Sequence, residues 1–545
     1  MTTADTDLTR VLEIAHAAHE RGDWRTAHET LSRARSEGVA LPTEAINELG
    51  LSAWWLGATR ESITLAEEAH GRFLAEGRVG LAADSATQVA IVAMLRGDSA
   101  LGSGWLSRAR RLLDGRDDCM SHGLVIFVDC LMALATYDLD TARAGAFRMQ
   151  ALGTRLPEPT LTSLGLMIEG VARVRSGQVG AGFSLLDEAM LPVIGGQVVP
   201  EFAGAIYCMV ISTCTELADM TRAREWTDAT EKWCTQFSDA VMYLGICRIH
   251  RAQLLALEGA WSRAEEEALR VCEELADVNT DVVAEGFYQV GEIRRLRGEV
   301  VAASEAYARA RALGRLPQPG EALLHLAQGE PPRAWAVIER AFTECPEDPF
   351  TRSRLFLARV EIAIATGRTA EADRAAGELS SIAAQFDSPG LQTWAFHARG
   401  MVHLARADAD EALTALSRAC RGYQAVHASH DAARVRLLLA DCRALLGHED
   451  LARTERAAAA TSLTALGAAP ATLPPARGAV GDLTPRELEV LARVTAGASN
   501  REVGAALYIT EKTVGRHLSN IYLKLGVGTR TAAAAWAHVH GIDPA

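Results

Sequence analysis

The sequence lacks a long apolar run, an N-terminal targeting signal and a high aromatic content. No segment approaches the roughly eighteen consecutive apolar residues that a membrane-spanning helix requires. The first residues, Met1–Asp5, have neither the basic nor the apolar region of a signal peptide. Aromatic residues make up only 6% of a chain that is 49% hydrophobic and rich in alanine. This composition is typical of a soluble helical protein, and a cytoplasmic location is expected.

Motifs of metal, disulfide and nucleotide sites are also missing. The ten cysteines include no CxxC pair, so we expect them to be small buried side chains. His427 and His430 have no recognisable third ligand, and solvated side chains are the simpler interpretation. No GxxxxGK[ST] phosphate-binding loop occurs, and no alternating strands carry a phosphoacceptor aspartate. No cofactor, no metal and no enzymatic activity are therefore expected.

Negative charge is concentrated in the N-terminal part of the chain. The 545 residues have a formal net charge of −14. From Asp482 to the C-terminus, seven Lys or Arg stand against six Asp or Glu, a net of +1, which leaves −15 on the first 481 residues. An acidic body repels nucleic acid, whereas a near-neutral C-terminal segment does not. Nonspecific DNA affinity should therefore be weak.

Turn positions recur through the first 467 residues at intervals of 31 to 41 residues. The twelve predicted positions are Gly22, Gly57, Gly97, Tyr137, Gly177, Ala218, Gly259, Gly298, Gly329, Gly367, Ala407 and Gly447. Tyr137, Ala218 and Ala407 are placed by register rather than by a glycine. The small residues five positions after the turns are Ala27, Ser62, Gly102, Ala142, Gly182, Ala223, Ala264, Ala303, Ala334, Ala372, Ala412 and Ala452. Paired antiparallel helices explain both features, because a small residue lets the second helix approach the first.

These repeats resemble tetratricopeptide repeats, most clearly at Arg21–Ala34 and Glu258–Val271, although their period is nearer forty residues than about thirty-four. The resemblance implies an all-α solenoid over residues 1–467, with about twelve helix pairs in a right-handed superhelix that has a long concave face. Such faces bind peptides, proteins or, less often, small ligands, and the sequence leaves that choice open. Trp54 and Trp55 are expected to pack in the core of the second repeat, with contact to a bound partner as the alternative.

Residues 468–482 separate the repeats from the C-terminal segment. They contain three prolines among small residues. This composition predicts an extended linker, with a rise of about 3.1 Å per residue where proline dominates. A short structured connection packed on the last repeat is the alternative.

Capping signals divide residues 483–545 into four short helices. The hydroxyl residues predicted to cap the first three are Thr484, Ser499 and Thr510. The first two are followed after three residues by a glutamate, as in a capping box. The third helix is predicted over Glu511–Leu525 and the fourth from Thr529 to Gly541. A short helix followed by a longer one is the order that a helix-turn-helix DNA-binding unit requires.

The predicted third helix has two different faces. Its apolar stripe consists of Val514, Leu518, Ile521 and Leu525. We expect this stripe to pack on the preceding helices and the polar side to face DNA, although a merely solvated polar face is the alternative. The predicted DNA-binding residues are Lys512, Thr513, Arg516, His517, Ser519, Asn520 and Lys524. Arg516 is the best candidate for base contact, because its planar guanidinium bonds guanine O6 and N7 together. Thr513, His517 and Lys524 form a flank that suits phosphate contacts.

The C-terminal segment resembles the LuxR-type helix-turn-helix domain of bacterial transcription regulators. The matching residues are Leu483, Thr484, Arg486, Glu487, Gly497, Ser499, Asn500, Glu502, Leu507, Thr513, Val514, His517, Ile521, Lys524, Leu525, Gly526, Val527 and Arg530. The resemblance implies a four-helix domain whose third helix enters the major groove and whose fourth often serves a dimer. Gly515 departs from the family pattern, which usually has a basic residue there, and costs about 1 kcal/mol of helix propensity. Gly504, where alanine is usual, is interpreted as a milder departure.

Together these features predict a sequence-specific transcription regulator that binds double-stranded DNA. A homodimer through the C-terminal helix is expected, because one recognition helix covers only a few base pairs. The repeat solenoid is expected to receive a protein or small-ligand signal. The alternative is a protein-interaction scaffold with a weak or vestigial DNA-binding domain, which Gly515 and the acidic body favour.

Overall fold

The helices account for the regular structure of the described part of the chain. The computed structural model describes residues 3–237, 241–345, 348–469, 483, 485–507, 509–525 and 527–539. Within these ranges there are 28 helices and no strand, which confirms the predicted all-α fold class. No helix in the same ranges combines the length and the apolarity that a bilayer crossing requires.

The first 24 helices form twelve consecutive antiparallel pairs, as the repeat pattern predicts. They are α1 (Thr3–Glu20), α2 (Trp24–Ser36), α3 (Thr43–Trp55), α4 (Thr59–Ala75), α5 (Val79–Leu95), α6 (Ser99–Leu113), α7 (Met120–Ala135), α8 (Leu139–Arg155), α9 (Pro159–Arg175), α10 (Val179–Ile194), α11 (Pro200–Glu216), α12 (Met220–Cys234), α13 (Val241–Glu258), α14 (Trp261–Glu274), α15 (Thr280–Arg297), α16 (Val300–Ala312), α17 (Gly320–Ala327), α18 (Pro331–Glu344), α19 (Pro349–Ala365), α20 (Thr369–Phe386), α21 (Pro389–Ala405), α22 (Ala409–Ala425), α23 (Ser429–Leu445) and α24 (Glu449–Leu466). The eight-residue α17 lies in the repeat with the shortest interval.

Each of the twelve predicted turn positions adopts a positive φ. The three that are not glycine, Tyr137, Ala218 and Ala407, have φ values of 60°, 55° and 64°. A left-handed residue at a helix end turns the chain so that the following amide groups reach the last free carbonyls. After Ala407, for example, the amide of Asp408 donates to the carbonyl of His403 at 3.0 Å. The turn is therefore set by register even where glycine is absent.

The small residue five positions after each turn is buried in all twelve repeats. A Cβ atom added to Gly102 would lie 2.6 Å from Cγ of Met94. One added to Gly182 would lie 2.7 Å from the carbonyl oxygen of Gly170. At these two positions the helices of a pair approach too closely for a Cβ atom, which agrees with the close packing predicted from the small residues.

Repeats that are distant in the sequence also contact one another. Both α3 and α23 pack against α13. The indole nitrogen of Trp55 donates to Oε1 of Glu201 at 3.0 Å, across 146 residues. The hydroxyl of Thr280 donates to the carbonyl of Arg96 at 2.8 Å, across 184 residues. The solenoid therefore winds closely enough for repeats about four or five apart to touch.

The tryptophan pair of the second repeat belongs to this long-range packing. Trp55 is fully buried and stacks on Trp24 with ring centroids 4.8 Å apart. Phe237 lies against the same indole at a centroid distance of 5.7 Å. The core packing that the sequence predicts for both tryptophans is confirmed. The core is not confined to the second repeat, because Phe237 follows the helices of the sixth repeat. Trp54, which is 7% exposed, also lines a cavity of the solenoid.

Candidate nucleic-acid interface

Side-chain caps start the short helices of the C-terminal unit. Its four helices are α25 (Pro485–Thr495), α26 (Asn500–Leu507), α27 (Glu511–Leu525) and α28 (Arg530–Val539). At the start of α26, Oγ of Ser499 accepts from the Glu502 amide at 3.3 Å, and the Glu502 carboxylate accepts from the Ser499 amide at 2.7 Å. At the start of α27, the Thr510 hydroxyl accepts from the Thr513 amide at 3.2 Å. The predicted cap at Thr484 lies outside the described residues.

The apolar stripe of α27 faces the core of the C-terminal unit, as predicted. Val514 and Ile521 are fully buried, and Leu518 is 4% exposed. Leu525 is half-buried at the end of the same core. Apolar side chains of α25, α26 and α28 complete this core. With one side of α27 fixed in this way, the opposite side must face outward.

The outward side of α27 carries hydrogen-bonding and cationic groups. Lys512, Arg516, Ser519 and Asn520 are all exposed. The Ser519 hydroxyl donates to the carbonyl oxygen four residues earlier at 3.1 Å, a bond within the helix. Leu523 follows on the same side and is 84% exposed. This face presents a guanidinium, an ammonium, an amide and a hydroxyl to the surroundings of the helix.

The flank of α27 contains two different environments. Thr513 and His517 are half-buried in its first half. The hydroxyls of Thr513 and Thr510 share a hydrogen bond of 2.7 Å. Near the end of the helix, Nζ of Lys524 lies 2.7 Å from Oε2 of Glu487, whose side chain is only 4% exposed. Lys524 therefore forms an ion pair inside the domain. The phosphate contact predicted for Lys524 would have to compete with this ion pair for the same ammonium group.

Two further arginines connect the helices of the unit. Arg530 donates to Oδ1 of Asn500 at 2.8 Å and to the carbonyl of Ala498. Arg486 donates to the carbonyl of Leu507. The sequence alone assigns these arginines no role beyond their match to the family pattern, because their partners lie on other elements. In the structure they join the ends of α25, α26 and α28.

The two glycines that depart from the family pattern lie in different surroundings. Among the described residues, no atom beyond the local helix lies within 4 Å of a Cβ added to Gly515. A Cβ added to Gly504 would lie 2.8 Å from the carbonyl oxygen of Ile509. The sequence indicates that Gly504 is the milder departure, but its backbone packs tightly against the turn before α27. Gly504 is therefore the more constrained of the two positions.

The last helix, α28, has one side in the core and one side open. Ala533 and Ala537 are fully buried, and α28 packs mainly on α25. Trp536 is half-buried beside the same core, whereas Ala535 is exposed. An exposed helical side next to a partly covered indole is compatible with a contact surface, so the dimer contact stays a prediction.

Comparisons with known proteins concern mainly this C-terminal unit. Residues 482–537 match the family model described as bacterial regulatory proteins, luxR family. The transcriptional regulatory protein LnrK of Bacillus subtilis is 51% identical over 62 residues, which are 11% of this chain and 28% of that protein. The transcriptional regulatory protein LiaR of the same organism is 52% identical over 56 residues, 10% of this chain and 26% of that protein.

A solved structure aligns with a larger part of the chain. The crystal structure of a Rap protein complexed with competence and sporulation factor covers 63% of this chain and 98% of its own, with 12% identity and a TM-score of 0.48.

The chain spans little more than a quarter of the length of the curated relatives LnrK and LiaR. The similarity to those relatives is local to the four-helix unit, which is a LuxR-type helix-turn-helix domain at the C-terminus of the chain.

Proposed function

We propose that the protein is a sequence-specific DNA-binding transcription regulator and that α27 is its recognition helix. The orientation of α27 carries this proposal, because its apolar stripe is buried while Lys512 and Arg516 are exposed. A helix divided in this way fits the major groove of B-DNA, which is about 12 Å wide, with its outer face toward the base edges. The similarity of residues 482–537 to bacterial regulatory proteins supports the same role.

The side chains of α27 differ in the nucleic-acid groups that they can bind. Arg516 is the proposed guanine contact, since its guanidinium donates to O6 and N7 together. Asn520, one turn later, suits adenine in the same bidentate manner. Thr513 and His517 lie on the flank and are proposed to contact phosphate, which positions the helix without selecting a sequence. Lys512, exposed in the first turn, adds a cation near the DNA backbone.

A homodimer is the proposed binding form. A single recognition helix covers only a few base pairs, so two copies on half-sites about 34 Å apart supply the remaining specificity. The exposed side of α28 around Ala535 is the proposed contact. Sedimentation equilibrium of the full chain with and without DNA measures this association. Replacement of Ala535 with glutamate should weaken it, because a charge would enter the contact.

The solenoid is the proposed receiver of the signal. Its formal charge of −15 over the first 481 residues disfavours general attraction to DNA, so binding depends on the specific contacts of α27. The proposal assigns regulation rather than catalysis to this body.

Selection from a random duplex library with the purified full chain tests the proposed function. The expected result is enrichment of one sequence with two related half-sites about ten base pairs apart. The Arg516→Ala variant should enrich a less restricted set of sequences. A library that stays random with the unaltered protein would contradict the proposal.

A protein-interaction scaffold is the second candidate. Gly515 on the recognition helix and the acidic solenoid favour it. In that case the full chain would retain a defined protein partner through the solenoid and enrich no DNA sequence. The selection experiment and an affinity purification of the same protein separate the two functions.

A further inference from the structure

A cavity of about 450 Å³ lies in the first half of the solenoid. The wall is formed by α3, α5, α7, α9 and α11, each the first helix of its pair, and by the residue before α15. Most of the wall is apolar, and its large side chains include Trp54, Ile91, Phe127, Met167, Phe202 and Met209. A cavity of a few hundred Å³ with an apolar wall and a few polar groups is typical of a small-molecule site.

Two of the residues that line the cavity, Asp84 and Gln88, each carry a polar atom that is closed off from water. Oδ1 of Asp84 and Nε2 of Gln88 are fully buried, and neither has a hydrogen-bond partner among the described residues. Both side chains belong to α5 and are one turn apart, so they lie on the same side of the helix. Buried polar groups are normally satisfied, because an unpaired one has lost its hydrogen bonds to water without gaining others. A ligand group that reaches this point of the wall would supply the missing contacts.

The charge of the wall restricts what that group is. Asp84 and Glu201 contribute carboxylates, and the described wall contains no lysine or arginine. Glu201 already accepts a hydrogen bond from Trp55 at 3.0 Å. An anionic ligand such as a fatty acid would enter an apolar space without a counter-ion and beside two carboxylates. A cationic ligand would pair with Asp84.

We propose that this cavity binds a small organic cation whose apolar body fills the space between the helices and whose protonated amine pairs with Asp84. Gln88 donates to an oxygen of the same ligand. The assignment rests on the proposed role of the solenoid as the receiver of a signal, and it names the chemical class of that signal.

The environment of Asp84 agrees with this assignment. Burial raises the pKa of Asp84 to about 6, although the Ser121 hydroxyl acts against that change. Besides Asp84, the described wall contains two ionisable side chains, Glu201 and Cys208. Burial thus makes the ionised carboxylate costly, and a cation paired with it would relieve this cost.

The cavity also has a polar neighbour. A second cavity of about 660 Å³ shares Leu95, Cys208, Met209, Ser212 and Asn279 with it. The wall of this second space includes Arg175, Glu216, Glu285 and Arg354. A ligand that reaches Asp84 through the second cavity would pass from a charged region into the apolar one.

Three probes with the same apolar body test the proposal on the full-length protein. They are 4-phenylbutylamine, 4-phenylbutan-1-ol and 4-phenylbutanoate, and calorimetry at pH 7.5 measures their binding. The amine should bind at least about tenfold more tightly than the alcohol, since it alone pairs with a carboxylate, and the carboxylate probe should not bind. Amine affinity should fall as the pH is lowered from 7.5 to 5, because Asp84 takes up a proton.

Two variants and a matched control assign any binding to this cavity. Asp84→Asn should abolish the preference for the amine over the alcohol. Ala205→Phe should prevent binding of every probe, because Ala205 lines the cavity and the ring would fill it. Asp228→Asn, which removes an exposed carboxylate from α12, should change nothing.

Several results would overturn the proposal. These are no binding by any probe, equal or tighter binding of the carboxylate probe, or an amine preference that survives in Asp84→Asn. None of these measurements involves DNA, so their failure would leave the function proposed for α27 standing. A failed DNA selection would likewise leave the binding result intact.

Discussion

At the scale of single residues, the cationic side chains of the C-terminal domain fall into two groups, those that bind other parts of the domain and those that are exposed. Lys524 and Arg530 bind groups on other elements of the domain, and their contacts lie within hydrogen-bond distance. Lys512 and Arg516 are exposed on α27 and point away from the core. A match to the family pattern therefore does not by itself identify a DNA contact, because part of that pattern maintains the fold.

Replacing Lys524 with alanine should destabilise the C-terminal domain. Glu487 would keep a buried charge and lose the ammonium group that balances it, at a cost of about 1–3 kcal/mol. The cost should remain below that of a fully buried pair, because 33% of the Lys524 side chain is exposed. Hydrogen exchange of α25 and α27 in the full chain measures the loss of protection.

The double variant Glu487→Gln, Lys524→Ala is the control for this ion pair. It should recover part of the protection, since no charge is then left buried. The opposite result is normal protection from hydrogen exchange in Lys524→Ala together with weaker binding to every DNA sequence alike. That result would show that Lys524 contacts phosphate and does not stabilise the fold.

Replacing Asp84 with asparagine should stabilise the solenoid at neutral pH and not at acidic pH. Burial raises the pKa of Asp84 to about 6, above its value in an unfolded chain. Protonated Asp84 is favoured in the folded state, so the contribution of this group to stability is present below about pH 4 and lost as the pH rises through 6. The variant should gain about 1–2 kcal/mol at pH 7.5 and little at pH 4.

Denaturant unfolding at a series of pH values measures this difference. Asp228→Asn, an exposed replacement of the same kind, should show a constant difference from the unaltered protein. A gain for Asp84→Asn that does not depend on pH would show that its carboxyl group titrates normally.

The bounds of the elements follow closely from local signals. The prediction of Glu511–Leu525 for the third helix is confirmed by α27, because its Thr510 cap and its apolar stripe are local properties of the sequence. The twelve turns were predictable for a similar reason, since each needs a left-handed residue at a fixed distance from a small one. The partner of Lys524 was not predictable, because it depends on how α25 and α27 cross.

Two glycines offer a paired test at the scale of one helix. Gly515→Ala should raise the stability of the C-terminal domain by about 1 kcal/mol, because alanine favours the helix and the site has room for a Cβ. Gly504→Ala should lower stability, since its Cβ would lie 2.8 Å from the carbonyl of Ile509. Thermal unfolding of the full chain, followed by hydrogen exchange in α26 and α27, measures both. A loss of stability in Gly515→Ala would mean that this part of α27 is packed.

The winding of the whole solenoid was beyond prediction from this sequence. The contact between Trp55 and Glu201 spans 146 residues and depends on the rotation from each repeat to the next, which small errors in any repeat would change. The cavity around Asp84 arises from the same winding, because its wall comes from six different repeats. The repeat unit, in contrast, is predictable from the sequence. The alternative prediction for Trp54, contact with a bound partner, is retained in the cavity proposal, because Trp54 lines the cavity.

The charge of the whole molecule gives the DNA-binding proposal its most direct test. The acidic body contributes no general attraction, so affinity should depend on a few side chains of α27.

The decisive measurement is the affinity of the full chain for its selected DNA site, with Arg516→Ala compared with Arg453→Ala. Arg453 is an exposed arginine of α24, and its replacement removes the same charge from the solenoid. The expected result is a loss of about 1–3 kcal/mol and relaxed base preference for Arg516→Ala, with no change for Arg453→Ala. Equal affinity and preference for Arg516→Ala and the unaltered chain would contradict the assignment of α27 as the recognition helix.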